Sequence, residues 1–193
     1  LLRNEFKPDR LENKRLQQQV KQALDYRSRI EKAIREQDNS MIQDEFVQTA
    51  GQIDEWLENI YDLAGRIDRY RQERDVLLRD RHQAEQRLDK LRDRLSHEQD
   101  GVMRDQLALS VKSTEQQLNT LNRLDDTIAR AELQLENSLT HLGTIYSQTM
   151  LVDAKDIDSG RARRLRQEIS DEVGELNDIL LAMDEVYRAE SAV

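Results

Sequence analysis

With 193 residues, 36% of them charged and 37% hydrophobic but only 4% aromatic, the chain has too little apolar material for a thick globular core and suits long helices that bury a narrow stripe. Its net charge of −9 disfavours non-specific nucleic-acid binding by the chain as a whole, because neutralising phosphates needs a basic face. The absence of cysteine excludes disulfides and a thiol nucleophile, and no apolar run approaches the roughly 18 residues that a membrane-spanning helix needs.

Residues 1–8 read as a lead-in ending at Pro8, with Asp9 and Glu12 as a capping pair for a first helix over about 10–37. Leu16, Val20, Ala23, Ile30 and Ile34 form its inner face, interrupted by Arg27. The cluster Asp38, Asn39, Ser40 marks a turn, and Ser40 with Gln43 forms the capping box of a second helix over about 41–73. Ile42, Phe46, Ile53, Trp56, Leu57, Ile60, Leu63, Ile67 and Tyr70 give this helix the richest apolar stripe of the chain. Trp56 sits mid-stripe and reads as core. Gly51 and Gly65 each cost about 1 kcal/mol relative to alanine in such a helix, which close helix approach or simple tolerance would explain.

A third helix is expected over about 76–98, with Leu77, Ala84, Leu88, Leu91 and Leu95 inward. Its start rests on a likeness: Asp75 to Asp80 resembles Asp100 to Asp105, and both resemble Asp38 to Asp44, with a capping aspartate, apolar residues and a second acid in the first turn. If Asp75 does not break the chain, helices two and three fuse. The fourth and longest helix spans Val102 to Met150, roughly 70 Å, with Leu107, Val111, Leu118, Leu121, Leu124, Ile128, Ala131, Leu135, Leu139, Leu142 and Tyr146 in one stripe. Leu151 to Gly160 is the one extended turn signal, and a last helix follows from about Arg161 to Tyr187, carrying Leu165, Ile169, Val173, Leu176, Leu180, Met183 and Tyr187. The tail from Ala189 should fray.

Short connections make neighbouring helices antiparallel. The expected fold is all-α, an elongated antiparallel helical bundle or coiled coil of about five helices, forming one domain over 1–193. A shift of 61 residues aligns Ile42 with Met103, Leu57 with Leu118 and Ile67 with Ile128, which suggests duplicated units over 9–73 and 74–133 followed by a hairpin over 134–190. Where only two helices pair, a stripe stays partly uncovered, which favours self-association.

Candidate chemistry is sparse. His82, His97 and His141 have no metal-ligand spacing and read as solvent-facing. The run Asp153, Asp156, Asp158, Gly160 fails the calcium-loop pattern and reads as helix capping. No phosphate-binding glycine loop or serine elbow is visible. Arg161, Arg163, Arg164 and Arg166 crowd the start of the last helix, where the dipole disfavours cations. They read either as neutralised by Asp153, Asp156, Asp158 and Glu168 or as a patch that docks an anionic surface.

The plan of long antiparallel charged helices resembles that of the phage-shock protein A family of membrane-remodelling proteins, and equally that of spectrin-like spacers and bacterial coiled-coil adaptors; no residue motif carries a site across. The first expectation is a non-enzymatic scaffold or adaptor without a cofactor, which self-associates or docks partner helices. The second is a peripheral protein bound weakly to an anionic membrane, and an enzyme using a carboxylate or histidine stands third. The expected setting is the cytoplasm, with membrane association as the alternative. No secretory signal is visible, and the opening Leu1 leaves an upstream anchor or signal open.

Overall fold

The computed structural model describes residues 6–36, 40–150 and 159–191. Among these the fold is all-α: a short 3-10 turn, Pro8–Arg10, precedes four long helices, α1 (Lys14–Arg35), α2 (Ser40–His97), α3 (Gly101–Met150) and α4 (Ser159–Ser191). No strand occurs among the described residues. The expected turns at 38–39 and 151–158 lie outside them.

The count of five helices is corrected to four, because Asp75 lies inside α2. The reason is phase. Leu63, Ile67, Tyr70, Arg74, Leu77, Arg81, Ala84, Leu88, Leu91 and Leu95 follow one another at alternating steps of four and three, an unbroken heptad seam. Asp75 falls on the exposed side of that seam, and with no glycine or proline nearby nothing stops the helix. The parallel reading of Asp100 holds: its Oδ1 accepts the Met103 N–H at 3.0 Å, and α3 begins at Gly101.

The first helix begins later than Asp9 and Glu12 suggested. Its cap is Asn13, whose Oδ1 accepts the N–H groups of Arg15 at 2.9 Å and Leu16 at 3.2 Å. Asp68, buried in α2, accepts the N–H groups of Glu12 at 2.8 Å and Asn13 at 2.9 Å, so an acid more than fifty residues away fixes the entry to α1.

The chain divides into two compact units. The first comprises Leu1–Asp68 and Arg130–Leu180. Its side-chain bonds give the helix directions. Arg27 of α1 meets Asp54, and the backbone of residues 12 and 13 meets Asp68, so α1 and α2 are antiparallel. Arg15 bonds Glu136 while Tyr26 packs near Tyr146, so α1 and α3 run parallel. Gln134 reaches Glu175 at 3.0 Å while His141 meets Glu172, so α3 and α4 are antiparallel. The result is an up-down-up-down four-helix arrangement. Its core holds the α2 stripe from Ile53 to Ile67, with Trp56 fully buried, together with Leu16, Val20, Ala23 and Ile30 of α1 and Leu165, Ile169, Val173 and Leu176 of α4. Arg27 interrupts the α1 row because it is ion-paired there, to Asp54 and Glu31.

Of the two readings offered for Gly51 and Gly65, the glycine environments favour simple tolerance. A Cβ at Gly51 or Gly65 would meet nothing within 4 Å, so close approach does not explain them. At Gly143 a Cβ would lie 3.0 Å from the Tyr26 hydroxyl. Here α1 and α3 approach closely, and the Tyr26 ring lies 6.2 Å from that of Tyr146.

The second unit comprises Arg69–Ala129 and Leu181–Val193. Its main feature is the hairpin of α2 and α3, antiparallel as the pairs Tyr70–Asp125 and Arg92–Glu115 require. On α3 the seam runs Leu107, Val111, Thr114, Leu118, Leu121, Asp125, Ile128, again at steps of four and three. Leu124 lies off this seam yet is 2% exposed, so a third element covers it. The end of α4 belongs to the same unit, and its Met183 and Val186 are buried. Val186 is buried in this segment of α4, whereas Tyr187, expected inward, is exposed.

Candidate functional site

Three features carry polar or uncovered chemistry. The first lies in the first unit, where α3 and α4 border a cleft of about 400 Å³ lined by His141, Thr144, Ile145, Gln148, Glu168, Asp171 and Glu172. Glu168, Asp171, Glu172 and Glu175 recur at helical spacing along α4. Glu172 is buried and ion-paired to the His141 Nδ1, and Gln134 donates to it at 3.4 Å. Burial pushes the Glu172 carboxyl above its ordinary value, against the opposing pull of His141. His141, read from sequence as solvent-facing, is half exposed and serves as the partner of a buried acid. The pair ties α3 to α4. His82 and His97 are exposed, as expected. Among the described residues no group of three or more potential ligands is placed to hold a metal ion.

The second feature is a polar cluster in the hairpin seam. Asp125 occupies a seam position of α3 and accepts bonds from the Tyr70 hydroxyl and from the Arg81 guanidinium, which also donates to the Leu121 carbonyl at 3.3 Å. Burial alone would raise the Asp125 carboxyl, but Tyr70 and Arg81 outweigh it and hold the group below its ordinary value. Burial first, and then the bond to Asp125, push Tyr70 up to about 12. A charged pair inside a mostly apolar seam fixes register, since a slip would set each charge against an apolar side chain. Sequence reasoning missed the cluster. The signal was there, since Arg81 and Asp125 both fall on heptad positions filled mostly by apolar residues.

The third feature is uncovered apolar surface on the hairpin: Val102 is 72% exposed, Leu109 68%, Val76 47%, Leu78 44% and Met103 42%. The arginines singled out from sequence are less concentrated. Arg163 and Arg164 are exposed, Arg166 is half-buried beside the buried Leu165, and the side chain of Arg161 lies outside the described residues, as do Asp153, Asp156 and Asp158. Arg163, Arg164 and Arg166 form no ion pair among the described residues. Among the described residues no helix is long and apolar enough to cross a membrane.

The fold and these features define an all-α, bundle-like protein. No protein-family model matches the chain, and no curated protein or solved structure is significantly similar to it.

Proposed function

We propose that the protein is a non-enzymatic helical scaffold or adaptor of the cytoplasm that self-associates or docks partner helices, with no cofactor. The observation that supports this reading is the uncovered apolar surface of the hairpin. Its arms expose Val76, Leu78, Val102, Met103 and Leu109, five of the nine large apolar side chains exposed among the described residues. Light scattering at micromolar concentration tests it: the expected mass exceeds the 22.7 kDa of one chain. A clean monomer counts against the oligomeric form of the reading.

The second reading is weak docking on an anionic membrane surface, favoured by the exposure of Arg163 and Arg164 at the first turns of α4. Such binding would be screened by salt over about 8 Å at physiological ionic strength. Sedimentation with anionic liposomes at low salt tests it, comparing the native chain with one carrying glutamate at 161, 163, 164 and 166. Native protein that stays in the supernatant, or a variant that pellets equally, removes the support for this reading.

A further inference from the structure

The outer face of the α3 arm differs from the outer face of the α2 arm beyond Leu78. Opposite it, the α2 arm carries a charge at almost every exposed turn, among them Arg79, Asp80, Arg87, Asp89, Lys90 and Arg94. On α3, by contrast, Val102, Gln106, Leu109, Ser113 and Gln116 are all exposed and uncharged, at steps of three and four. At 3.6 residues per turn they lie within about 60° of Leu109 around the helix, pointing away from the seam. Val102 and Leu109 lie about two turns apart on this face, and the stripe positions between and after them carry no charge.

Two charges border this stripe, both on the same side. Asp105 lies four residues before Leu109, about 6 Å along the axis, and Lys112 three residues after, about 4.5 Å. Both are exposed, and neither forms an ion pair among the described residues. Opposite charges at nearly equal distances on either side of a central leucine make a self-complementary pattern. When two such helices cross antiparallel about a two-fold axis at Leu109, each residue faces one on the same side but at the opposite height. Leu109 then meets Leu109, Asp105 meets Lys112 twice, and Gln106 meets Ser113 twice. A parallel crossing sets Asp105 and Lys112 against Gln106 and Ser113 and forms no ion pair, so the pattern selects the antiparallel one.

We propose that the outer face of α3 around Leu109 is a homodimer surface, on which a second copy of this chain packs antiparallel with reciprocal Asp105–Lys112 pairs. The proposal rests on the self-association reading and names its surface. The contact spans some ten to fifteen residues of one helix per chain, well below a standard interface, so the dimer is a weak, micromolar one.

Sedimentation equilibrium up to about 100 µM chain, a range that reveals micromolar association, tests it with four variants. Leu109→Asp is expected to leave a monomer. Asp105→Lys and Lys112→Asp, each placing like charges opposite one another at both ends of the contact, are each expected to weaken the dimer at least about tenfold. An equimolar mixture of those two single variants restores every opposite-charge pair and is expected to recover the dimer, as is the double swap. All these side chains are exposed, so each variant keeps its fold, which far-UV circular dichroism verifies. A native chain that stays monomeric throughout the range overturns both this surface and the self-association reading. A native oligomer that persists in Leu109→Asp and Asp105→Lys, or whose single-charge variants fail to recover on mixing, overturns the surface and leaves the reading standing.

Discussion

One helix passes through both units, and its two halves behave differently. From Ala131 to Thr149, α3 buries Ala131, Gln134, Leu135, Ser138, Leu139, Leu142, Ile145 and Thr149, which trace two adjoining heptad tracks. From Leu107 to Leu121 it buries only Leu107, Thr114 and Leu121, while Val111 and Leu118 are half covered. The first half has several helices around it and the second only the returning arm of α2. Apolar width follows the number of neighbours a helix has, and the two-helix pairing covers its own seam only in part, leaving Val111 and Leu118 half covered. In its place the arm relies on directional bonds, those of Tyr70 and Arg81 to Asp125 and of Arg92 to Glu115, to hold its register.

The contrast should be clearest in paired truncations. Leu142→Ala, at a fully buried site of the first unit, is expected to cost about 3 kcal/mol in urea unfolding, within the range for cavities in well-packed cores. Leu91→Ala, half covered in the arm, should cost about 1 kcal/mol, because less apolar area returns to water. Equal costs would mean that the arm is as well packed as the four-helix unit.

The polar seam sharpens the comparison further. Arg81→Ala leaves a half-buried carboxylate short of a partner and should cost about 1–2 kcal/mol, with faster hydrogen exchange at residues 81–95 than in the first unit. The acid dependence has a defined sign. The folded Asp125 carboxyl has a depressed pKa, so its contribution is complete above the ordinary carboxylate range near 4 and is lost as pH falls through the folded value. Tyr70 acts at the other end. Its raised value of about 12 means that its contribution is complete below the ordinary tyrosine value of about 10 and is lost as pH rises through the folded one. In Asp125→Asn, ultraviolet titration should show Tyr70 ionising lower but still above its ordinary value, since burial is the larger cause.

The smallest effects separate the glycines. Gly65→Ala and Gly174→Ala meet open space and should each raise stability by up to about 1 kcal/mol through helix propensity. Gly143→Ala gains the same propensity but pushes on Tyr26, so its melting temperature should lie below theirs. A gain at Gly143 equal to that at Gly65 would show that Tyr26 yields freely.

What the sequence disclosed was whatever repeats locally. The stripe from Ile53 to Tyr70, the core place of Trp56 and the cap at Asp100 all follow from periods and spacings within one helix. The break expected at Asp75 is absent because the seam phase runs unbroken through a capping pattern that no glycine or proline reinforces. Asp68 and Gly143 owe their roles to partners far away in the chain, at residues 12–13 and 26, and no local pattern announces them. Ion pairing explains why Arg27 interrupts an apolar row and why Arg81 and Asp125 occupy seam positions, and a pairing across helices is visible only once the helices are placed. The arginine cluster reads in sequence as one patch, whereas among its described side chains Arg163 and Arg164 are exposed and Arg166 is half-buried.

Trp56 has an optical consequence. It is the only indole in the chain, has no exposed surface and belongs to the first unit, so intrinsic tryptophan emission reports on that unit alone. Far-UV ellipticity, by contrast, sums the helices of both. Following one denaturant titration by the two signals therefore separates the units without any label. If the arm melts on its own, ellipticity falls while the emission spectrum stays fixed, and the tryptophan shifts only in a later step. If both units unfold together, the two curves superimpose.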